Sequence, residues 1–193
     1  MAIETLSRLL KVSKMNNTAN QDRHRLEALP KDELLDLFFL HIRNLWRIDG
    51  LYFLGIEKKF GTEAAAEIDT DCWKLMGKLE ASDLKVLLKI KQNNISSLMY
   101  VLRNTSWALD HRNKEVEVSE NKGVFRVVKC HTQLTRIRKG LEVFPCKNVR
   151  FTYLKAFVEE FNPNFEVKCR ICPPTERPPD VWCEWEFKMK NTK

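Results

Sequence analysis

The sequence predicts an α+β fold in which N-terminal helices pack on an antiparallel sheet of about four strands. Three observations carry this. Apolar residues recur at three- and four-residue steps from Leu34 to Leu102, the period of amphipathic helices. After Ser106, β-branched and aromatic residues gather in short runs that pair as two hairpins. Two further helical stretches lie between the hairpins, and no repeat at a solenoid period is present.

A chain of 193 residues, 44% apolar and 10% aromatic, can bury a core and reads as a folded protein. The formal charge of +7 admits anionic partners without naming one, because 26 acidic residues are interspersed among 33 basic ones. No apolar run approaches the roughly twenty residues of a bilayer span. Glu4 interrupts the N-terminus before any apolar stretch, which argues against a secretory signal. A reducing, cytoplasmic location is therefore expected, where clustered cysteines point to metal rather than disulfides.

Residues 1–30 read as an N-terminal extension, expected to be mobile, with residues 16–21 as a polar linker and Pro30 as a stop. Residues 31–193 read as a single α+β domain. Its first helix opens with Asp32 and Glu33, which favour the positive end of the helix dipole, and continues to Gly61 as C-cap. A second helix is expected over residues 62–79, with a cysteine, Cys72, in its core. A third starts at Ser82 as N-cap and runs to Leu102. Residues 107–111 and 123–130 are expected to form the first hairpin across a charged connection. Residues 132–139, stopped by Gly140, and residues 148–161 make the helix pair. The last hairpin joins residues 165–171 to residues 181–187, placing Cys183, Trp185 and Phe187 on one face.

The cysteines carry the chemistry. Cys169 and Cys172 form a C-x2-C turn, Cys183 follows a proline-rich loop, and Cys146 lies one helix upstream. Such a turn lets two thiolates grip one tetrahedral ion, and two more would close a structural zinc site of Cys146, Cys169, Cys172 and Cys183. Ordinary thiols compete with this reading, as does an iron–sulfur cluster suggested by Cys172-Pro173. Haem attachment is disfavoured, since Pro173 stands where C-x-x-C-H needs histidine. Cys130 ends a strand and begins a helix, with Gln133 and Arg136 at three-residue steps. A thiol there, beside an arginine, would have a lowered pKa suited to a nucleophile, with a buried structural cysteine as the competing reading.

Asp49 shares a helical face with Leu45, Tyr52, Phe53, Ile56 and Phe60, so its carboxylate needs a partner or a ligand. Arg47 and Glu57 are candidates to complete its network, and His41 and His131 to join a pocket. The basic runs at residues 136–139 and 147–150 are read as solvated helix faces, which disfavours nucleic-acid binding.

The segment from Trp46 to Gly61, the pattern of Cys130, Gln133, Arg136 and Gly140, Cys146, and the run from Lys168 through Cys169, Cys172, Trp182, Cys183, Trp185 and Phe187 resemble DUF6125, a family of uncharacterised prokaryotic cytosolic proteins. That family is similar to the L-2-amino-thiazoline-4-carboxylic acid hydrolases. More distantly it resembles the vinyl-4-reductase ligand-binding domains of bacterial sensor regulators, in which three cysteines and an acid hold zinc beside a small-molecule pocket. By position, the resemblance implies Cys146 as first ligand, Cys169 in place of the acid, then Cys172 and Cys183.

The expected function is therefore a zinc-binding domain that binds or senses a small organic molecule between helices and sheet. Trp46, Asp49, Phe53, Trp107 and Cys130 are the expected lining. The alternatives are a hydrolase acting on a small cyclic C–N or C–S compound, with Cys130 or Asp49 catalytic, and a nucleic-acid-binding zinc protein. The sequence leaves homodimerisation open and does not name the ligand.

Overall fold

Helical periodicity dominates the first half of the chain, and the computed structural model, which describes residues 17–190, folds that half into five helices. The described chain divides into two units after His41. In the first, α1 (Asn17–Glu27) carries an Arg23–Glu27 ion pair of 2.7 Å one turn apart. The N-terminal part of α2 (Lys31–Phe60) follows it, with Asp32 and Glu33 in the first turn. Residues 17–21, expected as linker, are thus helical, while residues 1–16 of the expected extension lie outside the described residues.

The second unit begins at Ile42 and holds the rest of α2. Of this long helix only Phe53 is buried; Leu45, Tyr52 and Phe60, expected to share a covered face with Asp49, are exposed. Gly61, at φ +89°, turns the chain into α3 (Thr62–Leu87). Here the structure departs from the expected break at Ser82. No helix breaker stands between residues 79 and 82, and Ala65, Trp73, Gly77 and Ala81 continue one buried stripe at four- and eight-residue steps. Cys72, expected in the core, lies beside that stripe and is exposed.

The true interruption follows Leu87, where Lys89 takes a positive φ. Asn94 then caps α4 (Ile95–Arg103), its side-chain oxygen accepting from the Ser97 N–H at 2.9 Å. Thr105 caps a short α5 (Ser106–Asp110) in the same way, accepting from the Ala108 N–H at 3.2 Å. The residues expected as a strand around Trp107 are therefore helical. The hairpin's first strand comes instead from the charged connection, as β1 (Asn113–Val118), followed by β2 (Lys122–Lys129). Then come α6 (His131–Arg138), α7 (Lys147–Phe161), β3 (Phe165–Ile171) and β4 (Cys183–Met189).

The four strands make one antiparallel sheet in the order β1-β2-β4-β3, so the last strand lies between β2 and β3. Register pairs Phe125 with Trp185 and Val127 with Cys183, and these residues, with Phe187, form the buried face. On the other face Arg126 bridges Glu115, Glu117 and Glu184 across three strands. α7 packs against both α3 and β3. At the α3 crossing Gly77 meets the backbone of Tyr153 and Phe157, an approach that no side chain would permit. Seven helices and this sheet account for the described residues, so the α+β class holds.

Candidate functional site

Two adjoining cavities open in the second unit between α2, α3 and α6, with α5 and α7 closing the inner one. The outer, of about 300 Å³, is lined by Trp46, Phe53, Leu54, Leu141 and Phe144, with Arg47 and Lys139 exposed at its edge. The inner, of about 60 Å³, is reached past Trp46, Asp49, Asp69, Thr132 and Phe144, which line both. Behind these, Trp73, Trp107, His111, Arg150 and the thiols of Cys130, Cys146, Cys172 and Cys183 complete the inner wall.

Four aromatic rings surround Arg150. Its guanidinium lies 5.0 Å from the ring centres of Trp73, Trp107 and Tyr153 and 5.5 Å from that of Trp46, and Trp46 and Trp73 are stacked at 4.7 Å. Helical steps explain this: Arg150 shares a face of α7 with Tyr153, Leu154 and Phe157, all buried. Part of the 147–150 run expected to be solvated thus turns inward.

Two carboxylates face this cation. Asp49 accepts from Trp73 Nε1 at 3.2 Å, and burial raises its pKa against the pull of Arg150. Asp69 is pushed up to about 7, first by burial and then by the charge of Asp49, against Arg150 and a hydrogen bond from Trp73. His111, stacked edge-on against Trp107, is driven down to about 3 by burial and Arg150, so its ring is neutral.

Cys130 lines the inner cavity but is not activated. Burial pushes its thiol up to about 12, outweighing hydrogen bonds from the backbone of Gln133 and Thr132. The arginine expected to lower it is engaged elsewhere: Arg136 makes paired 2.8 Å bonds to Glu57 and donates to the Glu142 carbonyl at 2.8 Å. Glu57 thus belongs to Arg136 rather than to Asp49, and Arg47 pairs with Asn44. His131 lines the outer cavity and meets Asp110 at 3.1 Å, while His41 is exposed in the first unit. Gln133 ties the α6–α7 loop by exchanging both amide bonds with the Phe144 backbone, at 2.8 and 2.9 Å.

Of the C-terminal thiols, Cys146 comes into direct contact with Cys172. Its sulfur lies 3.6 Å from that of Cys146, which also receives a 3.5 Å bond from Gln133 Nε2. Donation from Cys172 holds the Cys146 thiol below its ordinary value. Burial raises the Cys169 thiol. Register turns Cys169 towards the core with Trp185, yet it does not line the inner cavity. The loop between is fixed by Lys147 N–H to the Pro173 carbonyl at 3.0 Å and Trp182 N–H to the Val127 carbonyl at 2.8 Å. A zinc with bonds of about 2.3 Å sets thiolate sulfurs roughly 3.8 Å apart, close to the Cys146–Cys172 separation. Among the described residues, however, no group of three or more His, Cys, Asp or Glu side chains is placed so that it could hold a metal ion.

Asp69, His111 and Arg150 are additions to the expected lining. Asp69 could have been read from its four-residue spacing between Ala65 and Trp73, both buried. The inward turn of His111 has no comparable signal, because the segment before it reads as strand.

Among the described residues no helix is long and apolar enough to cross a membrane. No curated protein and no solved structure matches the chain. A model described as a family of unknown function, DUF6125, matches residues 27–189, and the chain belongs to that family.

Proposed function

We propose that this is a cytoplasmic domain that binds or senses a small organic molecule in the paired cavities, with a zinc ion fastening one wall. The observation that carries the reading is the combination of about 300 Å³ of largely apolar space with a few polar groups converging at its inner end. Small-molecule sites have this composition: apolar walls supply affinity and a few placed polar groups supply orientation. Trp46, Asp49 and Phe53 line the outer cavity, and Trp107 and Cys130 the inner one.

Zinc would be held by Cys146, Cys169, Cys172 and Cys183. An all-thiolate shell leaves no open position, so the ion would fix structure rather than take part in a reaction. Three of those residues also line the inner cavity, so a metal there would set the shape of the ligand's surroundings.

A hydrolase related to the thiazoline carboxylate hydrolases is the second reading, favoured by Asp49 and Asp69. One carboxyl protonated near neutrality beside a more acidic one is an arrangement suited to acid–base work. Cys130, with its raised pKa, is the weaker catalytic candidate.

Native mass spectrometry of the full chain tests the binding reading. The expected spectrum carries a small organic adduct that is lost on denaturation. Phe53→Trp, which enlarges a side chain lining the outer cavity, is expected to reduce it. An adduct equally abundant in the folded Phe53→Trp variant would contradict the assignment to this cavity.

A further inference from the structure

The inner cavity presents two polar groups that the protein leaves unsatisfied. Arg150 Nη1 and His111 Nδ1 are both buried, and neither has a hydrogen-bond partner among the described residues. His111 is 7% exposed, and both side chains line the same cavity. No carboxylate among the described residues lies within ion-pair distance of Arg150. A guanidinium held among aromatic rings keeps its edge free to donate, and leaving that edge buried without an acceptor is costly.

We propose that the ligand is a small organic acid whose carboxylate enters the inner cavity and accepts hydrogen bonds from Arg150 Nη1 and His111 Nδ1. This deepens the small-molecule reading and rests on it. A carboxylate's two oxygens match a guanidinium edge, and a neutral imidazole can carry its proton on Nδ1 and donate as well. The acid's body would lie in the outer cavity against Trp46, Phe53 and Phe144. The charges of that cavity favour the approach of an anion: Arg47 and Lys139 stand exposed at its edge, while Arg136 is neutralised by Glu57. Asp49 and Asp69 line the passage and would meet the ligand's flank, so they select against a second negative charge beside the first. A monocarboxylate fits this balance and a dicarboxylate does not.

Trp46, Trp73 and Trp107 surround Arg150, so tryptophan fluorescence of the full chain reports occupation directly. The probes are benzoate, with benzyl alcohol and benzylamine as matched neutral and cationic controls and phthalate as a dianion. The expected result is saturable binding of benzoate at least tenfold tighter than that of the other three. In Arg150→Lys, which keeps the charge but loses the planar fork, benzoate affinity should fall at least tenfold. His111→Phe supplies a second variant, expected to weaken benzoate and leave benzyl alcohol unchanged. Tighter binding of the alcohol or amine would overturn the acid assignment while leaving the pocket reading intact, as would undiminished benzoate binding in a folded Arg150→Lys. Failure of all four probes, together with native spectra lacking any adduct, would overturn both.

Discussion

Asp69 shows how a single side chain ties this site to stability. Its folded-state pKa of about 7 lies above the ordinary 3.8. The folded protein therefore holds the proton more tightly than the unfolded chain does. Stability is unaffected by this group below about pH 4, and an ionisation cost grows as pH rises, reaching its full value above pH 7. Asp69→Asn should match the parent near pH 4 and exceed it at pH 8 by on the order of 3 kcal/mol, since each tenfold change in proton affinity is worth about 1.4 kcal/mol and partial exposure reduces the total. Denaturant unfolding at both pH values checks this, and a difference independent of pH would contradict the assignment. At this scale the sequence was partly legible. Asp49 announced itself as an acid on an apolar helical face, and it does accept a hydrogen bond from Trp73 and feel the charge of Arg150. Arg150 did not, because a basic residue among Lys147, Asn148 and Val149 has the composition of a solvated run, and only the three-dimensional gathering of four rings makes burial tolerable.

Among the elements, α3 and α7 set the geometry of the inner cavity, since Asp69 and Trp73 come from one and Arg150 from the other. Their crossing depends on Gly77. A Cβ there would overlap the Tyr153 carbonyl oxygen and approach the Phe157 nitrogen to 3.2 Å, and both are backbone atoms that cannot rotate aside. Gly77→Ala should therefore destabilise the fold by about 2–3 kcal/mol, despite alanine's better helix propensity. Thermal unfolding would reveal it, and an unchanged or raised midpoint would show that the helices cross differently. Element type was readable where periodicity ran long, as in α2, α7 and the last hairpin. It failed where capping decided the outcome. Thr105 starts a helical turn at Trp107, whose aromatic and apolar neighbours read as strand. Ser82 looked like a cap, yet nothing before it stops the helix.

At the scale of the molecule, the order of helices, hairpin, helix pair and hairpin was legible. The C-terminal strand pairs with β2, which brings Cys183 beside Val127, three residues before Cys130. The start of α7 brings Cys146 against Cys172. A pocket beside these sulfurs was expected; what the sequence could not reveal is that Trp73, His111 and Arg150, from separate elements, would share its wall. A ligand cavity with a metal-fastened wall is tested most sharply by elemental analysis of the freshly purified full chain alongside Cys172→Ser and Cys130→Ser. One zinc per chain is expected, lost in Cys172→Ser and retained in Cys130→Ser. Protein free of metal, iron in place of zinc, or equal loss in both variants would contradict it.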